Sequence, residues 1–180
     1  MGPYVDQLHS IIKNKSLRRG TFTLASGAIS NFFFDLKPTM LDAHGATLIA
    51  HRVLQIAHTF PDVEAIGGMA TGAIPIVAVS VARSYRSERP LRGFFVRNAV
   101  KDHGTQQLID GLDVNGLHVV LVEDVTTTGR SLLNAAIAVR NSGGVVSHAI
   151  TVVDRLEGGA EHLSRHDITL LALLSRQDFE

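Results

Sequence analysis

Val119-Val120-Leu121-Val122-Glu123-Asp124-Val125-Thr126-Thr127-Thr128-Gly129-Arg130-Ser131 reads as a strand, a turn and the start of a helix. The run from Leu117 to Val122 is almost wholly apolar, the mark of a strand buried on both faces of a parallel sheet. It delivers two adjacent carboxylates, Glu123 and Asp124, to its carboxyl end, and Gly129 leads into a helix over Leu132 to Val139. In open α/β sheets, ligands bind outside the carboxyl ends of the strands, so a site is expected here. Backbone N–H groups at the helix start, joined by the hydroxyls of Thr126, Thr127, Thr128 and Ser131, suit a dianionic phosphate. Glu123 and Asp124 suit the diol of a ribose. Together they describe a site for a pentose phosphate. The plainer reading is that Ser and Thr cap the helix while the acids stay solvated near its positive end. Two acids followed, after Val125, by three threonines and a glycine favour function. No Gly-Lys-Thr or Gly-Lys-Ser follows, so the loop is not a Walker A motif.

Working outward, Met1 to Arg19 carries Val5, Leu8, Ile11 and Ile12 at helical spacing. Gly20 breaks that pattern before a short strand at Thr21 to Leu24, a turn at Ala25-Ser26-Gly27 and a strand at Phe32 to Leu36. A helix is predicted over Ala43 to Phe60, with Pro61 at its exit, then a strand at Glu64 to Met69. Ala73 to Tyr85 reads as a buried helix with Pro75 in its first turn, where a missing N–H costs nothing. A strand at Arg92 to Arg97 precedes an aperiodic stretch, Asn98 to Asp113, of the length that serves as a functional lid. Gly143-Gly144 ends the helix after Gly129, and strands follow at Val145 to Val153 and Ile168 to Leu174. The alternation across residues 64–153 predicts a doubly wound α/β core. One domain spans 1–180, with a core of about 41–155 and a small hood from about 1–40 plus the C-terminal segment.

With 180 residues, 17 basic and 17 acidic side chains, the chain has no formal net charge. Binding by coating nucleic acid needs a surplus of cations and is not expected. A chain of this length buries about two-thirds of its unfolded surface without staples. Cysteine is absent, which removes thiol nucleophiles, disulfides and zinc-finger ligand sets. The longest apolar stretches, such as Ala73 to Ala82, are too short to cross a bilayer, so no membrane association and a cytoplasmic setting are expected. Between Arg83 and His103 six basic residues face two acids, and such a patch is expected to attract a small polyanion.

The stretch from Val119 to Ser131 resembles the phosphoribosyl diphosphate motif of type I phosphoribosyltransferases. Three further segments narrow the resemblance to the orotate phosphoribosyltransferases: Phe22 to Gly27 with Phe32-Phe33-Phe34-Asp35, Phe95 to Gly104, and Val152-Val153-Asp154-Arg155. The resemblance covers nearly the whole chain in the family's order. It implies the type I phosphoribosyltransferase fold, a central mostly parallel sheet flanked by helices with a hood. It also implies a magnesium-dependent homodimer that joins orotate to the ribose of 5-phosphoribosyl 1-diphosphate, giving orotidine 5′-phosphate and diphosphate in pyrimidine synthesis.

The family's pattern then assigns the diphosphate substrate to Arg97, Lys101, His103, Glu123, Asp124, Val125, Thr126, Thr127, Thr128, Gly129, Arg130, Ser131 and Thr71. Lys101, His103 and Asp124 are the implied catalytic residues, with Lys101 and His103 on a loop that closes over the neighbouring subunit's site. Phe33, Phe34, Thr127 and Arg155 are implied for orotate, Arg155 as the bidentate partner of its carboxylate. No side chain is assigned as a metal ligand, because substrate oxygens and water hold the ion. The chain departs from the family where Ala25 and Asn98 stand at lysine positions, and near Thr71, where some members carry a further lysine. Backbone amides at Thr71 to Ala73 offer a substitute for diphosphate binding. A phosphoribosyltransferase for a neutral base, and a non-catalytic sensor of phosphoribosyl diphosphate, are the alternatives. Arg155 and the Phe33-Phe34 pair speak against the first. The intact Lys101-Asp102-His103-Gly104 loop speaks against the second, as does the absence of room for a DNA-binding domain.

Overall fold

The computed structural model describes residues 3–23, 29–98 and 108–180. Its centre is a five-stranded, wholly parallel sheet. The strands are β3 (Ala65–Gly67), β4 (Arg92–Gly93), β7 (His118–Thr126), β8 (Val145–Asp154) and β9 (Thr169–Ser175), in the order β4-β3-β7-β8-β9. One face packs on α1 (Pro3–Lys15), α3 (Ala43–Ala57) and α4 (Ala73–Ser84) through Leu8, Ile12, Leu48, Ile49, Ile76, Val120, Val122 and Ile150. The other packs on α5 (Arg130–Asn141) and α6 (Gly159–Ser164) through Leu132, Ala135, Val139, Leu163, Val119 and Leu121. Four consecutive buried residues, Val119 to Val122, confirm a strand covered on both sides, as their unbroken apolarity predicts.

The hood is a hairpin of β1 (Leu17–Thr23) and β2 (Ile29–Phe34) beside α1. The C-terminal turn, Arg176–Phe179, joins it: the Phe179 ring packs on His9 and Phe34, and Arg19 Nη2 donates to Phe179 O at 2.9 Å. A one-turn helix, α2 (Lys37–Met40), links hood to core.

Besides the helix expected up to Arg19, which ends at Lys15 because Leu17 to Gly20 already belong to β1, three elements differ from expectation. The strand expected over Arg92 to Arg97 is two. Arg92 and Gly93 pair with β3, whereas β5 (Phe95–Val96) pairs antiparallel with β6 (Ile109–Asp110). The division falls at Phe94, whose buried ring lies against Gly67 where a Cβ would come within 2.4 Å of it. The partner of β5 returns from thirteen residues away, and local alternation carries no trace of it. Secondly, α6 lies in a stretch without a helical stripe long enough to read. Thirdly, β7 does not end at Val122 but runs to Thr126, because β8 pairs with it up to Thr126↔Asp154.

Candidate active site

β3 stops at Gly67, opposite Leu121, while β7 continues for five more residues bonded only to β8. The chain moves outward from β3 to β4 on one side and from β7 to β9 on the other. A crevice opens where those directions diverge, the topological switch point at which open α/β sheets bind ligands. A cavity of about 490 Å³ occupies it, lined by Lys37, Thr71, Asn98, Glu123, Asp124 and Ser131 among others.

The loop after β7 turns at Gly129, whose φ of +74° suits glycine. No side chain caps α5. The plainer reading of the Thr and Ser cluster as a helix cap therefore fails, and the first-turn N–H groups keep their capacity for an anion. Thr127 is half-buried, and Thr128, Arg130 and Ser131 are exposed. Thr126 departs from the expected quartet of hydroxyls. It is the last residue of β7, 1% exposed, with its Cγ2 near Gly159 and its Oγ1 unpartnered. Val125 is half-buried against the core.

Glu123 and Asp124 are strand residues and inherit the strand's burial. Burial, reinforced by the neighbouring Asp124, pushes the Glu123 carboxyl from 4.5 up to about 8. Burial also raises Asp124, opposed by the Val125 N–H at 2.9 Å and by the charge of Lys37. Lys37, which the sequence reading passed over, forms an ion pair with Asp35 at 2.6 Å that holds the Asp35 carboxyl below its usual range. Asp-Leu-Lys on a turn after the Phe run was the available signal. Gly72 meets Asp124 closely: a Cβ there would lie 2.8 Å from Oδ1. The peptide before it, Ala70–Thr71, is cis, and Thr71 is exposed at the cavity. Of the amides offered for diphosphate, Ala73 N–H is already given to Met69 O at 3.1 Å. Asn98, at a family lysine position, donates to Ala70 O at 3.2 Å.

Arg155 follows β8, and its N–H donates to Thr126 O at 2.9 Å, which sets it beside the loop. Its side chain is buried, and Nε and Nη2 both donate to Glu157 Oε1, at 2.9 and 2.8 Å. A buried guanidinium needs such a counter-charge, and Glu157 is a second residue the sequence reading missed. The aromatic assignment needs correction. Alternation along β2 puts Phe33 on one face and Phe34 on the other. Phe33 is 39% exposed, whereas Phe34 is 7% exposed and packs edge-on against Phe179 in the core. Phe34 therefore does not pair with Phe33 as a stacking surface. Phe32 is half-buried under the guanidinium groups of Arg19 and Arg176.

Arg97 is ion-paired with Asp110 and lies over the Phe95 ring, at the base of the segment expected to close. Lys101, His103 and Ala25 lie outside the described residues. The basic run before them does not converge on the crevice. Arg89 donates to the carbonyls of His58, Phe60 and Pro61, and Arg92 pairs with Glu64 at 3.4 Å. Both lie at the amino end of the sheet, opposite the cavity.

The chain matches the phosphoribosyl transferase domain family over residues 41–171. It is 40% identical over 177 residues to the orotate phosphoribosyltransferase of Rhodopseudomonas palustris (strain BisB18), covering 96% of this chain and 94% of that protein. Its fold is similar to that of Mycobacterium tuberculosis H37Rv orotate phosphoribosyltransferase in complex with 5-phospho-alpha-D-ribosyl 1-diphosphate. That structure has a TM-score of 0.82 and 30% identity, with 98% of this chain and 99% of that one covered. The orotate phosphoribosyltransferase of Aeropyrum pernix gives a TM-score of 0.83 and 29% identity, with 96% and 95% covered.

Proposed function

The chain belongs to the phosphoribosyl transferase domain family, and from that premise we propose the reaction and the part each residue takes in it. It is an orotate phosphoribosyltransferase: it moves ribose 5-phosphate from 5-phosphoribosyl 1-diphosphate to orotate, releasing diphosphate and giving orotidine 5′-phosphate for UMP synthesis. The observation that carries the site reading is the uncapped amino end of α5 beside two half-buried carboxylates and a buried arginine. Ser131, Glu123 and Asp124 at the cavity suit a phosphate and a ribose diol, and Arg155, whose N–H is bonded to Thr126 O, suits the carboxylate of the base.

In this reading the loop from Thr127 to Ser131 takes the 5′-phosphate on backbone N–H groups and hydroxyls. Glu123 and Asp124 accept hydrogen bonds from the ribose hydroxyls. As the C1–O bond breaks, the leaving oxygen keeps the electron pair, and the orotate ring nitrogen donates a pair to C1 while its proton passes to the departing diphosphate or to water. The ring gains positive charge while negative charge grows on diphosphate. Fixed carboxylates near the ring and cations near the leaving group stabilise both, and no covalent intermediate on the protein is needed. Arg97, Lys101 and His103 serve the diphosphate, and closure of their loop excludes water. Lys37, at the same cavity, adds a cation that the missing family lysines would otherwise supply. Arg155 takes the orotate carboxylate, and Phe33 stacks on the ring.

Magnesium fits as an ion carried in by the substrate. Glu123 and Asp124 supply hard oxygen donors at the cavity. They would hold it through the ribose hydroxyls and water, and the ion would neutralise charge on the diphosphate. The enzyme acts as a cytoplasmic homodimer in this reading. Among the described residues no helix is long and apolar enough to cross a membrane.

The test mixes protein, magnesium and 5-phosphoribosyl 1-diphosphate with orotate or a neutral base and follows orotate absorbance. Loss with orotate alone is expected, and conversion of a neutral base instead overturns the reading. Arg155→Ala is expected to raise KM for orotate about 10- to 100-fold, the worth of a charge-assisted hydrogen bond, leaving KM for the diphosphate substrate within about twofold. Equal losses on both substrates would remove Arg155 from the base site.

A further inference from the structure

α6 touches the phosphate loop with nothing between the two backbones. A Cβ on Gly159 would lie 2.7 Å from Thr126 Cγ2, 2.9 Å from Thr127 O and 3.3 Å from Gly129 N. One turn further on, His162 Nδ1 is 2.8 Å from Thr128 O. A carbonyl oxygen only accepts, so Nδ1 carries the hydrogen and donates. The other end of the loop is held in the same way, by the Arg155 N–H on Thr126 O at 2.9 Å. Two loop carbonyls thus take donors from one segment, residues 155–162.

A loop that binds an anion with its N–H groups must turn carbonyl oxygens elsewhere, and those oxygens need donors of their own. Thr128 C=O belongs to the peptide unit that enters Gly129, the left-handed residue on which the turn into α5 depends. Fixing that oxygen fixes the plane of the peptide at the turn. The His162 ring is itself oriented by an edge contact with His166, with centroids 5.6 Å apart. We infer that His162 is a positioning residue for the phosphate loop: its donation to Thr128 O holds the uncapped amino end of α5 in the shape that receives the 5′-phosphate of the substrate. The inference rests on reading this loop as the phosphate site.

The experiment compares His162→Ala with His162→Asn, whose side-chain amide retains a donor near the position of Nδ1. KM for 5-phosphoribosyl 1-diphosphate should rise about tenfold in His162→Ala, with kcat and KM for orotate within about twofold. His162→Asn should return it to within about threefold of the parent. Stabilisation of the substrate-free protein by inorganic phosphate, read as a rise in Tm, should be lost in the alanine variant and kept in the asparagine variant. If the alanine variant does not fold, His162→Leu supplies a similar volume without a donor. An unchanged KM for the diphosphate substrate in the donor-less variant overturns the inference, as do equal rises in both KM values in both variants. If neither phosphate nor the diphosphate substrate raises the Tm of the parent protein, the phosphate reading itself fails, and the inference with it.

Discussion

Glu123 is an acid placed by a strand rather than by a loop, and its titration follows from that. Its folded-state value of about 8 stands far above the 4.5 of an exposed glutamate. Below about pH 4.5 both folded and unfolded chains hold the proton, and the group contributes no pH dependence. Between about 4.5 and 8 the unfolded chain releases a proton that the folded chain keeps, so stability falls as pH rises; above about 8 the loss levels off. The free enzyme should therefore lose Tm from pH 5 to pH 8 relative to Glu123→Gln, with the gap widening as pH rises. Parallel Tm curves for parent and variant would show that Glu123 ionises in the folded state as it does in water. The same partial burial prepares the site: hydrogen bonds donated by a ribose diol should favour the carboxylate form on binding.

At the level of elements, the phosphate loop is a joint between β7, α5 and α6 rather than a free turn. Its fit to α6 depends on Gly159 having no side chain. Gly159→Ala introduces a methyl group against Thr126, Thr127 O and Gly129 N, and overpacking of this kind costs about 1–3 kcal/mol. Because the atoms displaced are the loop's own, affinity for 5-phosphoribosyl 1-diphosphate should fall about tenfold while KM for orotate changes less. A variant with parental kinetics would show that the loop tolerates displacement. The same level explains where the reading of the sequence succeeds. The apolar run of β7 and the acids after it are local signals, and they locate the crevice. The pairing of Phe33 and Phe34 fails because β2 alternates, and an unbroken Phe run does not reveal which member faces the core. Arg155 is legible from its motif, but its partner Glu157 is not, since an acid two residues away on a turn of Leu156 at φ +58° has no characteristic spacing.

In the whole molecule the two chain ends meet. Phe179, 2% exposed, closes the core between His9 and Phe34, and its carbonyl receives Arg19. Phe179→Ala should cost about 3–5 kcal/mol, a fall in Tm of about 6–20 °C for a chain of this size, with kcat little changed below the transition. An unchanged Tm would mean that the C-terminal turn does not anchor the hood. The sequence by itself determined the parallel α/β core and the glycine-ended loop with its paired acids at the carboxyl end of β7, because burial on both faces and glycine turns are written in neighbouring residues. Only the tertiary structure decided how far β7 extends, which phenylalanine lies inside, that Arg89 and Arg92 serve the far end of the sheet, that Glu157 pairs with Arg155 and that His162 meets the Thr128 carbonyl. Each of those depends on a partner distant in sequence, or on a turn that local spacing does not encode, and a hydrogen bond or a packed ring is specified only when both partners are in place.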